Sequence, residues 1–406
     1  MPLDFAPRLA PRLAMWTYPW DVLDLGLETV VRDLRERAGL NGINIAAAYH
    51  AGRFFQPRSP KRKAYFPEDG TIYFQPDPKR WAGRRIVPKV AEIVAGRDVL
   101  KDLIAARDRG GLSVACWTVC LHNMRLGLLH PDTCTRNAFG DPYYYSLCPS
   151  HPEVRAYAVT LVQDLTTRYR PDIVQLESPG FMGYAHEFHH EKDGVGLTAE
   201  DDFLMSLCFC EACIAGAAES GIDAGAARAT VRRLIVEASD RAVPAPRWPD
   251  FATRGPDVFR DHPELEAFVR WRFAPVTSLV AAIREAAHPQ TRIDILDGND
   301  GFRSGSDLAA LGKICDGAVF CAYNRAPAVL EADTAKVRAV LGNSTKLGVG
   351  MRLVYPEMQS ADDIASRALA AIRAGATEID YYNYGLVPAA RLDWVRAATD
   401  AVTRHG

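Results

Sequence analysis

At 406 residues, with 48% hydrophobic and 24% charged side chains, the chain has the composition of a globular protein with a sizeable core. A net charge of -2 leaves no electrostatic footprint for nucleic acid or an anionic membrane surface. No apolar run approaches the ~20 residues of a membrane span. Nine unevenly spaced cysteines suit reduced thiols better than a disulfide framework, and Met1–Met15 carries no apolar signal-peptide core, so a cytoplasmic location is expected.

Short β-rich apolar runs alternate with longer amphipathic stretches along the chain. The first strand is predicted over Leu13–Pro19, with Trp16 and Tyr18 near its end, and a helix over Asp21–Ala38. Strand two, Gly42–His50, ends in Tyr49-His50 and opens a basic, aromatic insertion over residues 52–85, where Tyr73-Phe74 suggests a hairpin strand. A helix over Val87–Asp108 leads to strand three, Leu112–Cys120, followed by His122-Asn123. The helix Pro152–Tyr169 precedes strand four, Asp172–Ser178, and a second insertion covers residues 180–288. Strands five to eight are predicted at Arg292–Gly298, Gly317–Asn324, Lys346–Tyr355 and Glu378–Tyr384, with helices at Ser360–Ala374 and Arg391–Arg404.

Several of these strands are apolar on both faces, as buried parallel strands are. Eight of them alternating with helices predict an α/β fold, a (β/α)8 TIM barrel forming a single domain over 1–406 with long insertions after strands 2 and 4. No G-x-G-x-x-G follows a strand and no G-x-x-x-x-G-K-[ST] occurs, so nucleotide-binding folds lose support. Loops at the carboxyl end of barrel strands build the active site, and both insertions fall there.

Cys208-Phe-Cys210-Glu-Ala-Cys213 places three thiols in six residues, which simple packing does not explain. A fourth thiolate would complete a closed tetrahedral zinc site, structural because no position stays open. Cys148, in Leu147-Cys148-Pro149, is the expected fourth ligand, with Cys134 on the same long loop as the alternative. Cys116, Cys120, Cys315 and Cys321 read as small apolar core residues.

The order Leu147-Cys148-Pro149-Ser-His-Pro-Glu, a helix, a strand ending in Glu177, then C-x-C-x-x-C resembles family 42 β-galactosidases and related glycosidase-like barrels. The resemblance covers roughly residues 110 to 215. It implies Cys148, Cys208, Cys210 and Cys213 as zinc ligands, Glu177 as acid/base, and a nucleophile after strand seven. Leu176 stands where the family carries asparagine, so the scaffold transfers more directly than the sugar.

Glycoside hydrolysis needs two carboxyl groups flanking the bond. Glu177 is the first, beside apolar Ile173, Val174 and Leu176, which help raise its pKa by desolvation. Glu357, after strand seven, is the expected partner, and Asp297, after strand five, the reserve. Rings stack on sugar faces while amides, imidazoles and guanidinia bond hydroxyls. Candidate substrate contacts are therefore Trp16, Tyr18, His50, His122, Asn123, His189, His190, Asp297, Tyr323, Arg352, Tyr382 and Asn383. The expectation is a glycoside hydrolase acting on a carbohydrate or glycoconjugate, without organic cofactor, nucleic acid or membrane partner; a homo-oligomer stays open. Two alternatives remain. His186-Glu-Phe-His-His190 fits H-E-x-x-H and, with Glu191 or Glu177, suggests a metal-dependent hydrolase or lyase. The other is a barrel that binds sugar without cleaving it.

Overall fold

The computed structural model describes residues 10–188, 190–297 and 301–405. His189 therefore lies outside the described residues, and so does the side chain of Asp297.

Eight parallel strands close on themselves: β1 Arg12–Thr17, β2 Gly42–Tyr49, β3 Ser113–Val119, β4 Ile173–Glu177, β5 Arg292–Asp297, β6 Gly317–Cys321, β7 Lys346–Arg352 and β8 Glu378–Tyr382. Closure runs through β1, where Arg12 stands opposite Glu378 of β8 and Ala14 opposite Gly42 of β2. Every residue of β2 is buried, because one face fills the barrel and the other meets the surrounding helices. The predicted strands are all present, and all but the fifth, whose predicted end at Gly298 lies outside the described residues, are shorter at the carboxyl end where the chain turns into a loop.

Two predicted helices are cut short. Asp21–Ala38 breaks at Gly26, whose φ of 87° ends one helix and starts Leu27–Arg32. Val87–Asp108 holds a 3-10 turn at Glu92–Val94 and becomes α-helical only at Val99, where the Asp98 carboxylate accepts from the amide of Lys101 and caps the first turn. In the 52–85 insertion the strand forms at Thr71–Ile72, just before Tyr73-Phe74, and lies antiparallel on Ala48 and Tyr49 of β2. Phe54–Phe55 pairs with Ala64–Tyr65 as a separate hairpin.

The amino-terminal end of the barrel interior is charged. Arg12 donates to Asp380 at 3.2 Å and to Asn44 at 2.7 Å, and Asn44 donates to Asp380 at 2.6 Å. Arg292 donates to Asp294 at 2.7 Å and to Glu378 at 2.6 Å. Burial pushes Asp294 up to about 7 against the opposing pull of Arg292. Gly317 and Gly348 make this layer possible: a Cβ would lie 2.5 Å from Asp294 Oδ1 and 2.9 Å from Asp380 Oδ2.

The 180–288 stretch holds both an excursion and a barrel helix. Phe273–Ala286 packs on Pro152–Tyr169 in the outer ring. Before it, helices Ala199–Ser206, Glu211–Glu219, Ala224–Ser239 and Pro263–Trp271 bury a second apolar core around Phe203, Phe209, Phe259 and Phe268. The cysteine trio lies inside that core. Among the described residues no helix is long and apolar enough to cross a membrane.

Candidate active site

Strand β4 is buried through Leu176 and ends in the half-buried Glu177, after which Ser178 turns the chain with a φ of 51°. Glu177 lines a cavity of about 470 Å³ with Phe181, His186, Asp202, Arg303 and Tyr323. Burial raises its carboxyl above the ordinary glutamate value; a hydrogen bond from Trp117 and the proximity of His122 oppose the rise. The donor is the indole Nε1 of Trp117, to Oε2 of Glu177. Burial thus favours the protonated carboxyl, the form a general acid uses.

An aromatic floor supports it. Trp16 and Tyr18 are buried, with Trp16 Nε1 donating to Gln175 at 3.0 Å. The Tyr18 hydroxyl lies 3.1 Å from that of Tyr49 and 2.7 Å from that of Tyr382. Trp117 meets Tyr49 and Tyr382 edge-on, with centroids 4.7 and 6.0 Å apart. Tyr323 sits 6.4 Å from Tyr382 with the Arg352 guanidinium over its face at 4.9 Å. The sequence candidates Trp16, Tyr18, Tyr323, Arg352 and Tyr382 thus gather around Glu177, Trp16 and Tyr18 as its floor.

A histidine stack ends at His186, which lines the cavity. His50 stacks on Tyr49 and on His122, at 4.3 and 4.2 Å, and His186 meets His122 edge-on at 4.8 Å. His122 Nε2 lies 2.8 Å from Glu187 Oε2. Burial lowers His50 and His186 to about 4, so both are neutral near pH 7.

The histidine loop does not form the helix that H-E-x-x-H requires. Tyr184–His186 is a single 3-10 turn, Phe188 adopts a φ of 69°, and His190 is exposed. His186 turns inward to His122, so the i, i+4 face is lost. Among the described residues the only cluster of three or more histidine, cysteine, aspartate or glutamate side chains close enough to share an ion is the cysteine one.

Asn123 and Asn383 serve the backbone. Asn123 caps the helix Met124–Leu129, accepting from Leu126 N at 2.8 Å and donating to Gly70 O at 3.2 Å. Asn383 is fully buried and accepts from Gly385 N at 3.0 Å. Glu357 lies apart from Glu177's cavity. It pairs with Arg352, accepts from Asn324 N at 3.0 Å, and lines a separate cavity of about 320 Å³ with Pro356, Met358 and Arg367.

Behind the cavity, Cys148, Cys208, Cys210 and Cys213 are all buried, their sulfurs within 4.8 Å of one another. Cys148 Sγ lies 3.4 Å from Cys213 Sγ, 3.5 Å from Cys210 Sγ and 3.9 Å from Cys208 Sγ. Four sulfurs at about 2.3 Å from a tetrahedral ion stand about 3.8 Å apart, so this donor set fits a metal ion. Cys134 is outside the cluster; its thiol donates to Gly127 O.

Sequence reasoning missed Trp117, which sits in an all-apolar strand and reads as core; Tyr49 and Glu187 fall within the strand-end and histidine-loop runs without being singled out as contacts. The alternation along β3 and β4 could have found Trp117, since it stands opposite Gln175, two residues before Glu177.

No family model matches this sequence, and no curated protein matches it. Among solved structures the chain is similar to a β-galactosidase from the psychrophilic Marinomonas ef1, with a TM-score of 0.57 and 13% identity over 97% of this chain. It spans 61% of the length of that protein. It is also similar to the PgaB (BpsB) glycoside hydrolase domain from Bordetella bronchiseptica, with a TM-score of 0.55 and 13% identity over 97% of each chain. The catalytic domain of a β-amylase from Paenibacillus polymyxa gives 0.55 and 11% identity, over 98% of this chain and 99% of that one. The fold of this chain is a (β/α)8 barrel, the fold it shares with these three structures.

Proposed function

We propose that this protein is a glycoside hydrolase that cleaves a carbohydrate or glycoconjugate. The observation that carries the reading is Glu177: a strand-end carboxyl in a cavity, with its proton affinity raised by burial and its orientation held by Trp117. Glu177 protonates the leaving oxygen. Tyr323, Tyr382, Arg352, His50 and His122 supply stacking faces and hydrogen bonds for the sugar. Glu357 is the proposed second carboxylate, reaching the substrate once Arg352 turns to bond sugar hydroxyls. A carboxyl separation of ~5–5.5 Å in that complex gives retention and ~6.5–9.5 Å inversion.

Zinc is the ion we assign to the four cysteines, because four thiolates and no open position are the hallmark of a structural zinc site. It braces the excursion behind the cavity and takes no part in bond cleavage. No cysteine among the described residues is in a disulfide, in keeping with a reducing, cytoplasmic setting.

A second reading, a barrel that binds sugar without cleaving it, is favoured by one fact. Glu357 is engaged by Arg352 and lines a different cavity from Glu177. Hydrolysis of a panel of aryl glycosides and oligosaccharides by wild type and Glu177→Gln separates the two. Turnover that falls ~10²–10⁴-fold in the variant, the scale of general acid catalysis, supports the hydrolase. Sugar binding that survives the substitution, with no turnover by either protein, supports the binding barrel.

A further inference from the structure

Four aromatic rings stand in a row beside the cavity. Tyr184 meets Tyr143 with centroids 5.8 Å apart, Tyr143 stacks on Tyr145 at 5.8 Å, and Phe188 meets Tyr145 edge-on at 6.3 Å. The inner pair is buried, whereas Tyr184 is 41% and Phe188 64% exposed. Both outer rings belong to the loop that supplies Met182, Gly183, Ala185 and His186 to the cavity lining.

That loop is held residue by residue, so its rings stay outside. The Tyr145 hydroxyl lies 2.9 Å from the carbonyls of both Gly183 and Tyr184. On the helix Ala199–Ser206, Ser206 Oγ accepts from Tyr184 N at 2.7 Å and Asp202 Oδ1 from Ala185 N at 3.0 Å. Glu187 is engaged by His122 at 2.8 Å. Phe188 then takes its left-handed φ of 69°, which a bulky side chain rarely adopts and which the surrounding structure must enforce. Single exposed apolar side chains are ordinary on a protein surface. Two rings at the ends of one aromatic row, held outward by a pinned loop and one of them on strained backbone, are a built surface.

We propose that Tyr184 and Phe188 form a stacking platform for sugar units outside the cavity, and that the substrate is therefore an oligosaccharide or polysaccharide chain. One unit sits at Glu177, and the chain leaves the cavity along the loop that carries His186 and meets the two rings. A ring face packs on the apolar face of a sugar without demanding one hydroxyl pattern, so the platform reads chain length and the cavity reads the sugar. The inference rests on the carbohydrate reading of the site above and adds to it the size of the substrate.

The test is affinity electrophoresis of the full chain through gels cast with soluble polysaccharides: a β-glucan, a galactan, a xylan, an amylose and a glycol chitin. Glu177→Gln is the parent, so that the gel is not digested. Retardation is expected in at least one gel. Adding Phe188→Leu or Tyr184→Leu should weaken the apparent Kd about 2- to 10-fold, the equivalent of one aromatic contact. Phe188→Trp, which keeps a ring, should stay near the parent. Leucine variants retarded like the parent, or a tryptophan variant as weak as the leucine one, overturn the inference. Wild type that turns over nitrophenyl monoglycosides while no gel retards the parent sinks the inference alone. Neither turnover nor retardation sinks the carbohydrate reading with it. Ring-dependent retardation without turnover by wild type upholds the platform and removes only the cleavage step. A second measurement needs wild type alone: kcat/KM should rise from a disaccharide to the tetrasaccharide of the same sugar by about 2- to 10-fold, and a flat profile overturns the inference.

Discussion

Trp117 and Glu177 meet diagonally across two neighbouring strands: the indole Nε1 on β3 donates to the carboxylate that ends β4. The bond favours the ionised carboxyl, whereas burial favours the protonated one, and burial is the larger effect. The site is thus an acid restrained by one donor. Trp117→Phe removes the donor and keeps the ring. A hydrogen bond to a charged group contributes about 1.5–3 kcal/mol, so the alkaline limb of the kcat/KM profile should move up by about 1–2 pH units at 1.36 kcal/mol each. A pH–rate profile that does not move would detach Trp117 from the proton affinity of Glu177.

The same carboxyl links stability to pH. In the unfolded chain a glutamate loses its proton near pH ~4.3, while the folded site holds it to higher pH. The folded protein therefore has its full share of this stability below that unfolded value and loses it as pH rises through the folded one. Glutamine cannot ionise. Thermal unfolding at pH 4.5 and 7.5 should show Glu177→Gln gaining on wild type at the higher pH, and an equal difference at both would count against a desolvated Glu177.

Metal removal should weaken the fold before it touches the chemistry. Cys210→Ser breaks the cluster within the second apolar core, and one zinc per chain should be lost with it, read by elemental analysis. An ion present at 100 times its Kd stabilises by about 2.7 kcal/mol. For a chain of this size that is roughly 3 °C in Tm. Wild type that holds no metal, or a variant with unchanged metal content and Tm, would remove the centre.

At the opposite end of the barrel, Arg292→Leu leaves Asp294 and Glu378 buried without their guanidinium. Breaking a buried pair by removing one partner costs about 3–5 kcal/mol, so urea unfolding should shift to lower denaturant. Glu177 stands at the carboxyl end of its strand and this layer at the amino end, so KM for any substrate should hold.

The barrel was legible because its strands are apolar on both faces, a pattern only a doubly covered sheet needs. The cysteine run was legible for the reverse reason: three thiols in six residues have no packing rationale. Cys148, the expected fourth member, joins the trio and Cys134 does not, because β-structure at 134–136 and 142–147 places them differently. Glu177 could be read from its place at a strand end. The engagement of Glu357 by Arg352 could not, because the ion pair depends on how the chain turns after β7. The histidine loop misleads for a related cause. H-E-x-x-H is a helical motif, and Gly183, with the positive φ of Phe188, prevents the helix.

Strand β1 has its place between β2 and β8, with Arg12 opposite Glu378. During synthesis, then, the first barrel strand must wait for the last before one of its edges is covered. Bringing partners together across that span costs loop entropy that local helices never face. Until β8 arrives, β1 offers an open row of amides and carbonyls to any neighbouring chain. The yield of soluble protein should therefore depend on how quickly the final quarter of the chain emerges, and a pause after β7 would hold the barrel open at its most adhesive stage.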